Sequence, residues 1–275
     1  MPELPEVETI CLQLKKNIKE KKIIKVEVFL SKILKNITSL EFKNQLTNVL
    51  IKDVKRRAKI IIIELSNNKS LLIHLKLTGR LLYLPQEQNQ EKHTHIIFFL
   101  DNNYSLRFWD LRQFGYIKII STDELYFLPE IKSLGPEPLE ESFTLEKFKE
   151  LFKKKKSGKI KSILMDQKFI AGIGNAYADE ICFYSKIHPE KNILTLKEKD
   201  FSNLHDNIKN IFLQAIENKG SSIDTYRDIF GEEGKYHFKF QVYGRKGKLC
   251  FKCNAKIEQI KIKNRSAYFC PNCQK

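Results

Sequence analysis

The chain has 275 residues, of which 42% are hydrophobic, with only 11 glycines and 8 prolines, and this composition indicates a globular protein and excludes a disordered one. Its formal net charge of +16 indicates a polyanionic partner, which could be DNA, RNA or an anionic membrane surface. There is no apolar run of membrane-spanning length and no charged-then-apolar leader, so we expect a cytoplasmic protein of two modest domains.

The N-terminal residues place an amine beside carboxylates. We expect Met1 to be removed because the next residue is small, which leaves Pro2 as the N-terminus beside Glu3 and Glu6. An α-amino group titrates near ~8, and a secondary amine that condenses with a carbonyl gives a cationic iminium, which is an electron sink. The alternative is that Pro-Glu-x-Pro-Glu is only a favourable helix start. A helix is predicted there by apolar residues at helical spacing: Val7, Ile10, Cys11, Leu14 and Ile18.

The first half of the chain has strand character after this helix. Turn residues at 66–69 and 101–103 indicate hairpins, and a short amphipathic stretch lies within 36–48. No connection between the strands is long enough for a crossover helix, so we predict an antiparallel β-sandwich that carries the N-terminal helix. The predicted strand runs are 23–30, 51–65, 71–84, 95–100 and 104–109.

The second half changes to helical periodicity. Helical residues within 143–190 are interrupted by a basic run at 153–156 and by Ser157-Gly158. A further helix is predicted at 199–218, and a glycine- and acid-rich loop follows at 220–235.

Four of the six cysteines have the spacing of a zinc ribbon. Cys250-x2-Cys253 and Cys270-x2-Cys273 are separated by 16 residues, which predicts one structural zinc ion and a β-hairpin with Arg265 at its tip. Cys11 and Cys182 stand alone in apolar helical patterns, so we expect them in the core.

Three further motifs could contact a nucleic acid, and the first two have alternative interpretations. The basic residues 55–59 precede an apolar strand and either hold phosphates or form a solvated strand end. Asp110-Leu111-Arg112-Gln113-Phe114-Gly115 sets a cation and an aromatic ring beside a glycine, as a duplex-opening loop requires, or else forms a packed turn. Gly172-Ile173-Gly174-Asn175 opens a helix and predicts an anion site.

Taken together, these motifs resemble the formamidopyrimidine-DNA glycosylases, the bacterial base-excision enzymes for oxidised purines. The motifs that carry the resemblance are Met1-Pro2-Glu3-Leu4-Pro5-Glu6-Val7-Glu8-Thr9, Arg56-Arg57-Ala58-Lys59, Asp110-x-Arg112-x-Phe114-Gly115, Leu134-Gly135-Pro136-Glu137-Pro138-Leu139, Lys161-Ser162-Ile163-Leu164-Met165-Asp166-Gln167, Gly172-Ile173-Gly174-Asn175, Val242-Tyr243-Gly244-Arg245 and Cys270-Pro271-Asn272-Cys273-Gln274.

The resemblance implies an α+β fold with DNA held between domains. We expect an N-terminal catalytic helix-plus-β-sandwich domain at 1–133 and a helix-two-turns-helix domain at 134–219. A lesion-capping loop and connection would occupy 220–245, and the zinc finger 246–275. The implied partner is double-stranded DNA that contains an oxidised purine or an abasic site. We expect a monomer on the DNA of a bacterial cytoplasm, no membrane partner and no cofactor besides zinc.

The resemblance also implies roles for individual residues. The flipped nucleotide would be attacked by Pro2, and the backbone then cut by β- and δ-elimination. Leu77, Arg112 and Phe114 would fill the gap in the stack, with Arg112 facing the orphaned cytosine. The implied catalytic residues are Pro2, Glu3, Lys59 and Arg265; the implied DNA contacts are His74, Leu77, His93, Arg112, Phe114, Lys156, Lys161, Asn175 and Tyr243; the implied lesion pocket is Glu6, Ser221, Ser222, Thr225 and Tyr226; and the implied zinc ligands are Cys250, Cys253, Cys270 and Cys273.

Three residues depart from the family pattern: Leu77 replaces a common methionine, Asn264 a glycine, and Asp224 a frequent arginine of the capping loop.

An endonuclease VIII-like enzyme for oxidised pyrimidines is an alternative, although Leu4 stands where that family has glycine. A non-catalytic nucleic-acid-binding zinc protein would explain the charge and the finger but not the Pro2-Glu3 pair. A tautomerase that uses an N-terminal proline as its base would need neither the zinc finger nor the large positive charge.

Overall fold

The computed structural model describes all 275 residues, and they form two units, each with its own buried residues. The first unit contains Met1–Lys132 and Ile216–His237, and the second contains Ser133–Ala215 and Phe238–Lys275. The chain therefore passes between the units after residues 132, 215 and 237. The domain limits expected from the sequence, at 134, 220 and 246, stay a prediction.

The predicted N-terminal helix is confirmed as α1, Leu4–Ile18. Pro5 lies in its first turn, where the missing N–H has no helical partner to lose, and Lys15 and Lys16 lie in its last turn, as the helix dipole favours. Every apolar position that defined the pattern is buried, and so is Cys11, whose thiol donates to the carbonyl of Lys55 at 3.4 Å.

The first unit contains a nine-stranded sheet in the order β2-β9-β5-β4-β3-β1-β7-β8-β6. Its strands are β1 Lys22–Val28, β2 Leu34–Lys35, β3 Val49–Arg57, β4 Ile60–Leu65, β5 Lys69–His74, β6 Gly79–Pro85, β7 Thr94–Leu100, β8 Tyr104–Asp110 and β9 Tyr116–Ser121. All neighbours are antiparallel except the short pair β2 and β9, which is parallel.

The sheet folds into a sandwich at one weak junction. Only Lys22 opposite Leu50 and Ile23 opposite Val49 pair β1 with β3, so the sheet can bend there. Buried side chains from both halves join the apolar face of α1 in one hydrophobic cluster. The predicted helix-plus-sandwich arrangement is therefore confirmed, and α2 Ser39–Leu46 confirms the predicted amphipathic stretch.

Two predicted strand runs are each divided in two. The run 51–65 is a hairpin of β3 and β4 whose turn holds Ala58 in the left-handed region, with φ of 51°. The run 71–84 is broken at 75–78, where Lys76 has a positive φ of 52°. Neither turn contains asparagine, glycine or proline at its left-handed position, so Ala58 and Lys76 themselves give no signal for that backbone conformation.

The second unit is helical and ends in a hairpin. Its helices are α4 Leu145–Lys153, α5 Ile160–Leu164, α6 Asn175–Tyr184 and α7 Glu198–Glu217. The last two residues of α7 belong to the first unit. A short helix of the first unit, α3 Pro129–Lys132, precedes them in the chain. The predicted break after the basic run is confirmed between α4 and α5. The hairpin consists of β10 Glu258–Ile262 and β11 Arg265–Phe269. None of the helices has the length and apolar character needed to cross a membrane.

Candidate functional site

The start of α1 brings the two acids of the N-terminal motif together. Pro2, Glu3 and Glu6 are all buried, and Glu3 and Glu6 form a capping box in which Glu6 Oε2 accepts from the Glu3 N–H at 2.8 Å. The second oxygen of Glu6 accepts from the Ser221 N–H, also at 2.8 Å. One carboxylate therefore fixes both the residue after Pro2 and the loop that contains Ser221.

This loop packs against Glu6 without room for a larger residue. Gly220 has φ of +78°, and a Cβ there would lie 2.8 Å from Glu6 Cγ and 2.9 Å from its Oε1. The Ser222 hydroxyl donates to the carbonyl of Tyr226 at 2.8 Å, and the Tyr226 hydroxyl donates to the carbonyl of Lys219 at 3.1 Å. Glu6, Ser221, Ser222 and Tyr226 are thus brought together, and the Tyr226 ring belongs to the hydrophobic core.

The basic run after β3 is divided between ion pairs and the candidate site. Arg56 is buried against Glu8 of α1, with Nε and Oε2 2.5 Å apart, and Lys55 pairs with Glu64 at 2.6 Å. Arg56 also donates to the carbonyl of Ala58 at 3.2 Å, which fixes the β3–β4 turn close to α1. Lys59, the residue after Ala58, is buried in the turn directly before β4.

His74 ends β5 as a neutral imidazole. Burial, together with the positive charges of Lys76 and Lys59, lowers the pKa of His74 from 6.5 to about 3. Its Nδ1 accepts from the Lys76 N–H at 3.0 Å, so the proton is on Nε2. A neutral ring that donates from Nε2 can bind a phosphate or carbonyl oxygen.

Two loops of the first unit carry the three residues expected to enter the base stack. Leu77 lies half-buried in the loop 75–78, and Arg112 and Phe114 lie in the loop 111–115. Phe114 is 54% exposed, and the guanidinium of Arg112 lies 4.9 Å from the centre of its ring. The pair is therefore presented to solvent as a stacked cation and aromatic ring.

His93 is held at the end of the loop between β6 and β7. Its ring packs edge-on against Trp109 at 5.5 Å, and Arg80 lies 4.4 Å from the centre of the same indole. The preceding loop is organised by the buried cation Arg107, whose hydrogen bonds go to the carbonyls of Pro85, Gln88 and Asn89 and to the Ser105 hydroxyl. The sequence did not predict this role of Arg107.

In the second unit, Lys161 is buried rather than exposed. It is 1% exposed, its Nζ lies 2.7 Å from Asp179 Oδ1, and it donates to the carbonyl of Ser266 at 2.6 Å. Asp179 also accepts from the Tyr268 N–H at 3.0 Å, so the pair ties α5 and α6 to β11. Burial raises the pKa of Asp179 to about 7, against the opposing effect of Lys161. Lys156, in contrast, is exposed.

Another buried carboxylate orders the segment that contains Tyr243. Glu180 of α6 accepts from the N–H groups of Gln241, Val242 and Tyr243, at 2.8, 2.9 and 2.9 Å. Burial raises the pKa of Glu180, and these three bonds oppose the rise. At the N-terminus of α6, Asn175 is the first helical residue, and its Oδ1 is buried without a protein partner. The predicted helix start at Asn175 is confirmed.

The four ribbon cysteines converge as a metal site requires. The Sγ atoms of Cys250, Cys253, Cys270 and Cys273 all lie within 4.8 Å of one another, and the Lys252 N–H donates to Cys250 Sγ at 3.4 Å. Tetrahedral zinc with bonds of about 2.3 Å places its sulfurs about 3.8 Å apart, so the four thiolates fit one structural zinc ion. Arg265 is exposed at the start of β11, and borders a groove of about 430 Å³.

Family models match most of the chain in three consecutive parts. They are described as "Formamidopyrimidine-DNA glycosylase N-terminal domain" for residues 1–117, "Formamidopyrimidine-DNA glycosylase H2TH domain" for residues 134–227, and "Zinc finger found in FPG and IleRS" for residues 247–275.

Full-length relatives agree with these matches. The formamidopyrimidine-DNA glycosylase of Pelotomaculum thermopropionicum is 42% identical over 275 residues, which cover 100% of this chain and 99% of that protein. The corresponding enzyme of Carboxydothermus hydrogenoformans is also 42% identical and is matched over 100% of both chains.

Solved structures of Lactococcus lactis Fpg are similar to this one. Its complex with DNA that contains an abasic site has a TM-score of 0.92 and 38% identity, covering 99% of each chain. Its complex with DNA that contains N7-benzyl-Fapy-dG has the same TM-score and identity over 100% of each chain. This similarity in sequence and in structure extends over the whole length, and the chain therefore belongs to the formamidopyrimidine-DNA glycosylase family.

Proposed function

We propose that this chain removes oxidised purines, such as 8-oxoguanine and formamidopyrimidines, from duplex DNA and then cuts the strand at the abasic site. The observation that carries the proposal is the buried start of α1, where Glu6 fixes the Glu3 N–H beside Pro2. Removal of Met1 would turn the Pro2 nitrogen into a secondary amine at this position. That amine is the nucleophile of the proposed reaction.

In the proposed mechanism, the damaged nucleotide leaves the base stack so that its C1′ becomes accessible. The nitrogen lone pair of Pro2 attacks C1′, the bond from C1′ to the base breaks, and the base leaves with a proton. The sugar ring then opens: the C1′–O4′ bond breaks, O4′ takes up a proton, and the iminium that forms at C1′ acidifies the C2′ protons. Loss of one of them expels the 3′ phosphate, and a second elimination expels the 5′ phosphate.

Proton transfer and charge stabilisation come from residues that the sequence singled out. We assign to Glu3 the transfer of protons at the sugar, and to Lys59 a part in the first elimination. Burial of both side chains supports this assignment, because water is then kept from the reacting atoms. Arg265, exposed at the finger tip, is assigned to the second elimination and to phosphate binding.

The proposed DNA contacts follow from exposure and charge. Exposed Lys156, Arg112 and Phe114, and the half-buried residues His74, Leu77, His93, Asn175 and Tyr243, can reach a bound duplex. Lys161 is engaged by Asp179 and Ser266, so we propose that it acts on DNA through the β-hairpin. The lesion base would lie near Glu6, Ser221, Ser222 and Thr225, with the core residue Tyr226 supporting them.

One structural zinc ion would be held by the four clustered cysteines. When bound, it would supply the coordination that keeps the hairpin folded, and it takes no part in the chemical steps. Arg265 and the hairpin then bind and orient the phosphates of the cut strand.

The direct test is borohydride trapping on a duplex with 8-oxoguanine opposite cytosine. Borohydride reduces the iminium to a stable amine, so the native protein should become covalently linked to the DNA. Pro2→Gly and a variant with an uncleaved tag before Pro2 should both bind the duplex without efficient trapping. Binding by the native protein with no covalent adduct would contradict the proposed chemistry and favour a binding protein.

An oxidised-pyrimidine duplex belongs in the same assay. A structure of wild-type Lactococcus lactis Fpg, 37% identical to this chain, is described as a complex with DNA that contains an oxidised pyrimidine. We expect the purine lesion to be processed faster, because Leu4 stands where endonuclease VIII-like enzymes carry glycine. A faster reaction on the pyrimidine would reverse this ranking.

We place the enzyme as a monomer on the DNA of a bacterial cytoplasm. Its net charge of +16 supports binding through phosphates, which releases counterions. The logarithm of the binding constant should therefore fall linearly with the logarithm of salt concentration, which a titration between low and moderate salt would measure. A flat response would contradict phosphate-dominated binding.

A further inference from the structure

Two loops leave the same end of the sheet and pass side by side between its halves. The loop 75–78 joins β5 to β6, and the loop 111–115 joins β8 to β9. At one side His74 pairs with Tyr116, and at the other Gly79 pairs with Asp110. The first loop carries Leu77 and the second carries Arg112 and Phe114, so we call them together the wedge loops.

A single buried carboxylate binds both wedge loops. Asp110 is 0% exposed, and its Oδ1 accepts from the hydroxyl of Thr78, the neighbour of Leu77. The Arg112 N–H donates to the same Oδ1 at 3.2 Å and to Thr78 Oγ1 at 3.0 Å. Oδ2 accepts from the Gly115 N–H at 2.8 Å. The carboxylate of Asp110 is therefore bonded to Arg112 itself and to Thr78, the residue that follows Leu77.

The surroundings leave the carboxylate little freedom to move. A Cβ at Gly115 would lie 3.0 Å from Asp110 Oδ2 and 2.7 Å from Phe108 Cζ. On the other side, the ring Nε2 of His95 lies 2.8 Å from the Asp110 carbonyl oxygen. Because the fully buried carboxylate is bonded to both wedge loops, a shift of one loop would break bonds to the other.

The chemistry of the site requires a carboxylate rather than an amide. The two oxygens of Asp110 receive one hydroxyl and two backbone N–H groups and donate nothing. An asparagine would turn an NH₂ group toward one of these donors, which leaves a buried N–H without an acceptor.

We propose that Asp110 is a positioning residue that makes the wedge loops enter the base stack as one unit. This inference rests on the proposed function, since it concerns how the lesion is extruded. Asp110 does not touch DNA or the reacting atoms. Its loss affects the opening of a stacked duplex far more than the chemistry on a nucleotide that has no base to unstack.

The experiment compares Asp110→Asn with the native protein on two duplexes, one with 8-oxoguanine opposite cytosine and one with an abasic site opposite cytosine. Excision of 8-oxoguanine should fall about 10- to 100-fold, the range expected when one or two bonds to a buried charge are lost. Cleavage of the abasic duplex should change little. A 2-aminopurine beside the lesion should lose most of the fluorescence rise that accompanies unstacking.

Matched variants separate positioning from general damage to the fold. Thr78→Val removes the hydroxyl that binds Asp110 and should reproduce the lesion-selective defect. Thr78→Ser retains the hydroxyl and should behave like the native protein. Asp101→Asn makes the same charge change at an exposed turn and should leave both reactions unchanged. Thermal unfolding of each variant checks that the protein is folded, and the Thr78 pair decides the question if Asp110→Asn does not fold.

The failure of this inference differs from the failure of the proposed function. If the native protein neither excises 8-oxoguanine nor traps with borohydride, the function itself is refuted and the inference falls with it. If the native protein is active but folded Asp110→Asn and Thr78→Val slow both duplexes equally, only the role of Asp110 is overturned. Loss confined to 8-oxoguanine supports it.

Discussion

The first unit and the zinc finger present their functional residues in different ways. In the first unit, a core of both sheet halves and α1 lies beneath the loops, and the buried carboxylates of Glu6 and Asp110 fix loop N–H groups. The hydrophobic cluster that includes two of the metal ligands is much smaller, and its buried residues are Phe183, Val242, Cys250, Ile257 and Cys270. The first unit is thus ordered by its core, whereas the finger depends on its metal.

Removal of zinc should have the largest effect, and it should unfold the finger without unfolding the first unit. Structural zinc contributes about 10–16 kcal/mol to the folding of small ribbons, so chelation or Cys253→Ser should unfold the hairpin and with it Arg265. Limited proteolysis should cut within 247–275 while the sheet of the first unit stays intact, and added zinc should reverse the effect of chelation. A finger that resists protease without metal would contradict the comparison.

The Lys161–Asp179 pair is expected to have the next largest effect. Lys161→Met should destabilise the second unit by about 3–5 kcal/mol, because it leaves the buried Asp179 carboxylate without its cation. The double variant Lys161→Met with Asp179→Leu should recover part of this loss in denaturant titrations. Equal destabilisation in the single and double variants would show that the pair contributes only shape.

A glycine pair tests how tightly the loop around residue 221 is joined to α1. Gly220 and Gly231 both have positive φ, +78° and +84°, but only Gly220 is packed against Glu6, whereas nothing lies within 4 Å of the Cβ position at Gly231. Both alanine variants should lose about 1–2 kcal/mol from the left-handed backbone. Gly220→Ala should lose about 1–3 kcal/mol more from overpacking, measured by urea unfolding. Equal losses would mean that Glu6 moves freely.

The smallest expected effect is a pH dependence from His74. Its pKa falls from 6.5 to about 3 on folding, so between these values the unfolded chain binds more protons than the folded one. This contribution is complete above pH 6.5 and is lost as the pH falls, by at most about 1.4 kcal/mol per pH unit. His74→Gln should therefore show a flatter decline in melting temperature from pH 7 to pH 5. Parallel curves would contradict a buried neutral ring.

Local sequence patterns predicted those parts of the molecule in which neighbours in sequence determine the structure. The spacing of Val7, Ile10 and Leu14 fixed one face of α1, and the four cysteines defined the hairpin. The division of the run 51–65 was missed, because Ala58 has no intrinsic preference for a left-handed turn. Residues a few positions apart are enough to define a helix face or a pair of metal ligands. The turn at Ala58, in contrast, depends on how β3 and β4 pair within the sheet.

Pairings between distant residues explain most of what the sequence did not predict. Arg56 and Lys161 were both read as cations near DNA, and nothing local indicates that Glu8 and Asp179 engage them. The motif that contains Asp110 did not predict a role for this residue. A signal was present, since an aspartate that precedes a short loop ending in glycine often accepts from nearby N–H groups.

The divided first unit has a consequence for synthesis on the ribosome. Its sheet is encoded before residue 133, yet the Ser221 N–H that binds Glu6 and the Asp228 carboxylate that accepts from Gln13 come from residues 216–237. Tyr83 N–H likewise donates to the carbonyl of Ile229 at 2.7 Å. A nascent chain can therefore complete this unit only after most of the helical segment has emerged, and a truncated message that ends near residue 133 would yield a protein with an unfinished catalytic face.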